Sequence, residues 1–130
     1  LGLPGLFHGY HGIVMGVSAG SMNAAHIVYA APEEPGEAAD PHYSRWMNGL
    51  GLTETRILPH YQFIRDHLLD GQKVEDIALA DSKKRHFLAL PDGSYILCAD
   101  GSEALYGKGW YFADGMMEEI NEDEDVLPLR

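Results

Sequence analysis

An α/β fold is what the sequence predicts, on three observations. The apolar run Ile13-Val14-Met15 leads into Gly16-Val17-Ser18-Ala19-Gly20-Ser21 and then into a small-residue stretch, the order strand, tight turn, helix. Arg56-Ile57-Leu58 fits a short strand closed by Pro59, and leaves His60 just beyond its end. After residue 85 short apolar runs alternate with the turns Pro91-Asp92-Gly93-Ser94 and Asp100-Gly101-Ser102, which predicts a β-rich C-terminal meander.

Composition sets the bounds. The 130 residues are 45% hydrophobic and 22% charged, which suits one globular domain over residues 1–130. A formal net charge of -11 argues against nucleic acid or an anionic membrane surface as a partner, because phosphate binding is carried by clustered Lys and Arg. Much of the acid lies in Glu118-Glu119 and Glu122-Asp123-Glu124-Asp125, so residues 118–130 are expected to be a solvated acidic tail. The single cysteine, Cys98, cannot form an intramolecular disulfide, and a reduced, cytoplasmic setting is expected. No run approaches the roughly eighteen apolar residues of a membrane-spanning helix. The chain opens Leu1-Gly2-Leu3-Pro4, without methionine, and soon reaches the strand that carries the serine turn. Such a strand usually lies in mid-sheet, so the expectation is the C-terminal part of a longer protein, with the N-terminal strands of the sheet absent.

Taken in order, residues 1–12 are glycine-rich and fit a helix end and turn. His8 and His11 have H-x-x-H spacing, but no Cys or carboxylate cluster accompanies them, and no metal is expected. From Ser21 to about Ala31 the residues suit a buried helix ended by Pro32. Residues 32–41 form an acidic, proline-bounded loop, a linker or one wall of a site. Gln62 to Asp70 has helical spacing with Gly71 as its stop, and Lys73 to Ala80 adds a short turn of helix. Ser82-Lys83-Lys84-Arg85 is an exposed basic corner. Strands follow at 86–90, 95–99, 103–106 and 109–112.

The chemistry centres on Ser18. Its turn calls for near-left-handed backbone angles, and Gly16 and Gly20 remove side chains that would collide as strand folds sharply into helix. Such a nucleophile elbow lifts the hydroxyl clear of the sheet and turns the Ala19 amide toward a carbonyl oxygen gathering charge. A serine hydroxyl also needs an imidazole to take its proton and a carboxylate to fix the tautomer of that imidazole. His60 and Asp92 are the candidates, in the order Ser, His, Asp. The order Ser, acid, His would instead use Asp40 with His60, or Asp70 or Asp92 with His86.

Gly16-Val17-Ser18-Ala19-Gly20-Ser21, then Leu58-Pro59-His60-Tyr61, then Leu90-Pro91-Asp92-Gly93-Ser94, resembles the peptidase E family (serine peptidase family S51), aspartyl dipeptidases that cyanophycinases also resemble. The resemblance implies a three-layer, class I glutamine amidotransferase-like (flavodoxin-like) α/β sheet. It also implies a serine peptidase acting on short peptides, with Ser18 as nucleophile, His60 as base, Asp92 as orienting acid, the Ala19 amide in the oxyanion hole, and no cofactor. Many members carry Glu where Asp92 stands, so Asp40 and Glu34 remain rival acids. A preference for N-terminal aspartate calls for a cation, and none of Arg45, Arg56 and Arg65 matches a specificity residue. The resemblance also implies an upstream glycine-rich loop that gives a second oxyanion amide, and no such loop is found within these 130 residues. The span alone is therefore expected to be weakly active, and a homodimer or the N-terminal half is its expected protein partner beside the peptide.

Two other readings compete. Gly16-Val17-Ser18-Ala19-Gly20 followed by Asn23-Ala24-Ala25 also resembles patatin-like lipid acyl hydrolases, with Asp114-Gly115 as the second half of a Ser-Asp dyad, but there His60 has no role and Met116 replaces an expected glycine. The fold also hosts binding modules without catalysis. Cys98 as nucleophile fails on position, since it sits in mid-strand.

Overall fold

The computed structural model describes residues 2–123 and 125–129; Leu1 and Arg130, the ends of the expected domain, and Glu124 of the acidic stretch lie outside the described residues. Its centre is a parallel strand pair, β3 (Ile57–Leu58) and β6 (Phe87–Ala89), with Ile57 opposite Leu88 and Leu58 opposite Ala89. The amide of Leu88 donates to Arg56 O at 2.9 Å, that of Leu90 to Leu58 O at 2.9 Å, and that of Tyr61 to Leu90 O at 3.0 Å. All of β6 is buried, as its unbroken apolar run requires. On its other edge β6 pairs antiparallel with β9 (Gly109–Ala113), which pairs with β10 (Met116–Ile120), giving the order β10-β9-β6-β3. The β9–β10 turn is Asp114-Gly115, both at positive φ (55° and 79°), the two-residue geometry that matches strand twist. A second, antiparallel sheet, β11-β8-β7, joins β7 (Tyr95–Ala99), β8 (Ser102–Tyr106) and β11 (Val126–Pro128), with Asp100-Gly101 repeating the same turn device.

Two apolar cores hold these sheets. Tyr29, Phe87 and Phe112 stack in series, at 4.3 Å and 4.9 Å between ring centroids, and Tyr61 packs on Trp110 at 4.8 Å. Leu88, Leu90 and Leu105 form the other core, covered by Ile96 and Leu127. Helix α4 (Val74–Asp81) turns two carboxylates toward the aromatic core. Asp81 accepts the Tyr29 hydroxyl at 2.7 Å and pairs with Arg45 at 2.9 Å; Glu75 accepts the Tyr61 hydroxyl and pairs with Arg65 at 3.1 Å. Burial, with the neighbouring carboxylate, pushes both phenols well above the ordinary tyrosine range. Burial also raises the Asp81 carboxyl, against the opposing pull of Tyr29 and Arg45.

Several expected elements differ. Ile13-Val14-Met15 is not a strand: no strand pairs with it among the described residues, and Ile13 and Met15 are 90% and 82% exposed. Upstream, α1 (Leu3–His8) is a short helix, most of it exposed. The helix expected over 21–31 shrinks to α2 (Ala19–Met22), because Ile27-Val28-Tyr29 forms β1, antiparallel to β2 (Trp46–Asn48), and buries Val28 and Tyr29. β-branched and aromatic side chains in a row favour the pleated form. The expected helix over 62–70 stops as α3 (Tyr61–Ile64), and its second half becomes the hairpin β4 (Leu68–Leu69) and β5 (Gln72–Lys73) around Asp70-Gly71, both at positive φ. Ser82 is buried, not part of an exposed corner. The acidic stretch expected as a tail is folded in part: Glu118 and Glu119 lie in β10 with exposed side chains, while Ile120, Leu127 and Leu129 pack on the leucine core. Mixed α/β structure is present, but its strands form four separate sheets among the described residues, not one continuous three-layer sheet.

Tyr29→Phe should cost about 1–3 kcal/mol, since it strips Asp81 of a donor in a half-buried site. Urea denaturation checks this, and a loss under about 0.5 kcal/mol, the scale of an exposed substitution, would count against it.

Candidate active site

The parallel pair fixes the site. His60 stands two residues past the end of β3, and Asp92 stands in the turn that follows β6, so both lie at the carboxyl ends of adjacent parallel strands, where α/β proteins place working side chains. His60 is held in the left-handed region, φ 58° and ψ 30°, and the next residue, Tyr61, is fully buried. This corner turns the imidazole toward the serine loop. His60 Nε2 lies 3.0 Å from Ser18 Oγ, and Nδ1 lies 2.6 Å from Asp92 Oδ1. An ionised carboxylate can only accept, so Nδ1 carries the proton and donates to Asp92, which leaves Nε2 to accept the Ser18 hydroxyl. The amide of Asp92 donates to Gln62 Oε1 at 3.0 Å, tying the carboxylate's turn to the histidine's helix. Gln62 carries no motif signal of its own; its place two residues after His60 was the only hint.

Ser18 has φ 53° and ψ -120°, a strained conformation for a residue with a side chain. Its carbonyl accepts the amides of Ser21 at 3.0 Å and Met22 at 3.1 Å and the Ser21 hydroxyl at 2.6 Å, which closes the turn. The amide of Ala19 opens α2 directly after it. The flanking glycines are not equivalent. A Cβ on Gly16 would meet Gly20 O at 2.6 Å and Ser21 N at 2.8 Å, whereas one on Gly20 would meet nothing within 4 Å. Steric need therefore holds for Gly16 and not for Gly20. Residues 13–17, which lead into this turn, pair with no strand among the described residues, in place of the expected strand.

Ser18 and His60 lie between two clefts. One, of about 770 Å³, also reaches Asp92 and is walled by apolar side chains from the 13–17 segment and from residues 90–97. The other, of about 500 Å³, runs toward Glu33, Glu34 and His67 over Leu58, Ile64 and Leu69. Glu37 accepts the amides of Glu33 and Glu34, which fastens the acidic loop as a wall and holds the Glu37 carboxyl below the usual carboxylate range.

The rival residues stand elsewhere. Asp40 accepts the amide of His42 at 2.8 Å, Asp70 accepts those of Gly36 and Ala39, and Glu34 lines the second cleft while His60 Nδ1 faces Asp92. Asp114 sits in the β9–β10 turn against Ser82, and lines neither cleft. His86 packs beside Tyr111, and Cys98 is exposed in β7. Arg45 and Arg65 are paired with Asp81 and Glu75, and Arg56 Nε donates to His86 O at 2.9 Å. Among the described residues no group of three or more His, Cys, Asp or Glu is placed to hold a metal ion, and no helix is long and apolar enough to cross a membrane.

Fold and site together define a mixed α/β protein in which a serine hydroxyl, an imidazole and a carboxylate stand in hydrogen-bonded line at the mouth of an apolar cleft. Residues 10–105 match the model of Peptidase family S51, and the chain belongs to that family, one of peptidases, to which a serine mechanism is suited. Comparison with curated proteins and with solved structures gives no match.

Gly16→Ala should displace the serine turn and abolish labelling of Ser18 by a fluorophosphonate, whereas Gly20→Ala should leave labelling within about threefold, since only the first new methyl meets backbone. Intact-mass spectrometry reads both, and equal effects would contradict the asymmetry.

Proposed function

We propose that this chain is a serine peptidase that hydrolyses short peptides by acyl transfer to water, with Ser18 as nucleophile, His60 as general base and acid, and Asp92 as the group that orients His60. The observation that carries this reading is the imidazole held at both ends, 3.0 Å from the hydroxyl and 2.6 Å from the carboxylate. His60 takes the proton of Ser18 as Oγ attacks the peptide carbonyl. The imidazolium that forms is stabilised by Asp92, and it then protonates the leaving amine. With the amine gone, His60 deprotonates water, which attacks the acyl ester and frees Ser18. The amide of Ala19, first in α2, is the proposed donor to the oxyanion. The side chains of His60 and Asp92 are 44% and 51% exposed, so a bound peptide would complete the exclusion of water from the pair.

The parallel strands ending at His60 and Asp92, and the turn into a helix at Ser18, support an amidotransferase-like frame around the site. Nothing similar supports a Ser-Asp dyad with Asp114, which is held in a hairpin turn against Ser82.

His60→Ala should lower kcat/KM for a dipeptide anilide by about a thousandfold or more, as should Ser18→Ala. A dyad enzyme would keep most of its rate without the imidazole, so retention within tenfold would overturn the triad.

A further inference from the structure

We infer that Gln62 is the positioning residue for Asp92: its side-chain oxygen supplies the third rung of the parallel strand ladder, and through that rung it holds the carboxylate against His60 Nδ1. The inference rests on the catalytic reading above and adds to it a residue that acts through Asp92.

Register creates the need for such a group. The rungs between β3 and β6 run from Leu88 N to Arg56 O and from Leu90 N to Leu58 O, each at 2.9 Å. Rungs of a parallel pair are evenly spaced, so a third in the same step of two would run from Asp92 N to His60 O. The backbone does not form it. At His60 the chain leaves the strand with φ 58°, and the His60 carbonyl accepts the amides of Phe63 at 3.0 Å and Ile64 at 3.3 Å in the first turn of α3. Pro91, the residue between the second and third rungs, has no amide to offer in compensation. The Asp92 amide donates instead to Gln62 Oε1, at 3.0 Å. A side-chain carbonyl thus takes the place of the main-chain carbonyl that the corner at His60 has turned away. Only the oxygen of a carboxamide can accept, so this bond also fixes which way the Gln62 amide group faces.

Little else holds the carboxylate. Among the described residues Asp92 makes two hydrogen bonds, from its amide to Gln62 and between its carboxylate and His60. The far side of its turn is closed by Ser94 N to Pro91 O at 3.3 Å, beyond Gly93 at φ 94°. Both His60 and Asp92 are half-exposed, so water competes for the carboxylate and burial does not confine it. Its aim at Nδ1 is set by the backbone that carries it, and the one bond on that backbone at Asp92 ends on Gln62.

Labelling of Ser18 by a fluorophosphonate, in which Oγ displaces fluoride from phosphorus, tests the role when the rate is followed by intact mass. Gln62→Met keeps the reach of the side chain and removes the acceptor, and should slow labelling about ten- to thirtyfold. Gln62→Glu restores an oxygen at the same reach and should label within about threefold of the parent chain. Asp92→Asn should slow labelling about a hundredfold or more, and in that background Gln62→Met should add less than about twofold, because the rung then has no carboxylate to aim. Unchanged labelling in Gln62→Met, a loss in Gln62→Glu equal to that in Gln62→Met, or the same loss from Gln62→Met in both backgrounds would each overturn the role. In all three outcomes Asp92→Asn stays slow and the triad stands. If the parent chain is not labelled at Ser18, or Asp92→Asn labels at the parental rate, the catalytic reading fails and the role of Gln62 falls with it.

Discussion

Three backbone hydrogen bonds between residues 56–61 and 88–90 decide where His60 and Asp92 stand. They fix the register of two short parallel strands, and the register fixes which residues emerge side by side at the strand ends. A slip of one residue would turn every side chain of β6 to the opposite face and move Asp92 away from the imidazole. The strands are too short to hold that register alone. It is maintained by what packs on them: the stacked rings of Tyr29, Phe87 and Phe112 on one face, and the leucines around Leu105 on the other. Side-chain packing thus sets a backbone alignment, and the backbone alignment sets an imidazole–carboxylate distance.

Helix α4 adds a second level of control. Its Asp81 and Glu75 each hold a tyrosine and an arginine, and one of those tyrosines is Tyr61, next in sequence to His60. A buried phenol bonded to a carboxylate is a poor group to move, because withdrawing either leaves a polar atom unsatisfied in the aromatic core. Arg65 completes the arrangement by lying over the faces of Tyr61 and Trp110, at 5.2 Å and 5.5 Å from the ring centroids. Elsewhere Glu103, nearly buried, accepts the hydroxyls of Thr53 and Thr55 at 2.6 Å each and steadies the segment leading into β3.

Much of this was legible in the chain because local chemistry and tertiary context agree. β3, β6, β7, β8 and β9 follow from apolar runs bounded by Pro and Asp-Gly turns, α4 follows from its spacing, and the three residues brought together sit within short, recognisable motifs. The failures have one cause. Residues 13–15 look like a strand by composition, but a strand exists only through a neighbour, and local pattern says nothing of pairing. Residues 27–29 and 68–73 carry residues compatible with helix, and in each case a cross-strand partner, β2 for one and the Asp70-Gly71 hairpin for the other, overrides that preference. The same limit hid Gln62, Glu75 and Glu103: their partners lie 30, 14 and about 50 residues away, and a single sequence carries no record of such pairings.

The backbones of Ser18 and His60 share one trait, a positive φ at a residue that is not glycine. Each such residue costs on the order of 1 kcal/mol relative to a relaxed conformation. Among the described residues the hydroxyl and the imidazole thus stand at two of six non-glycine positions where glycine would relieve the backbone. A glycine at either position would therefore trade a relaxed backbone for the hydrogen-bonded contact between residues 18 and 60, so stability and this contact pull in opposite directions at the same two residues.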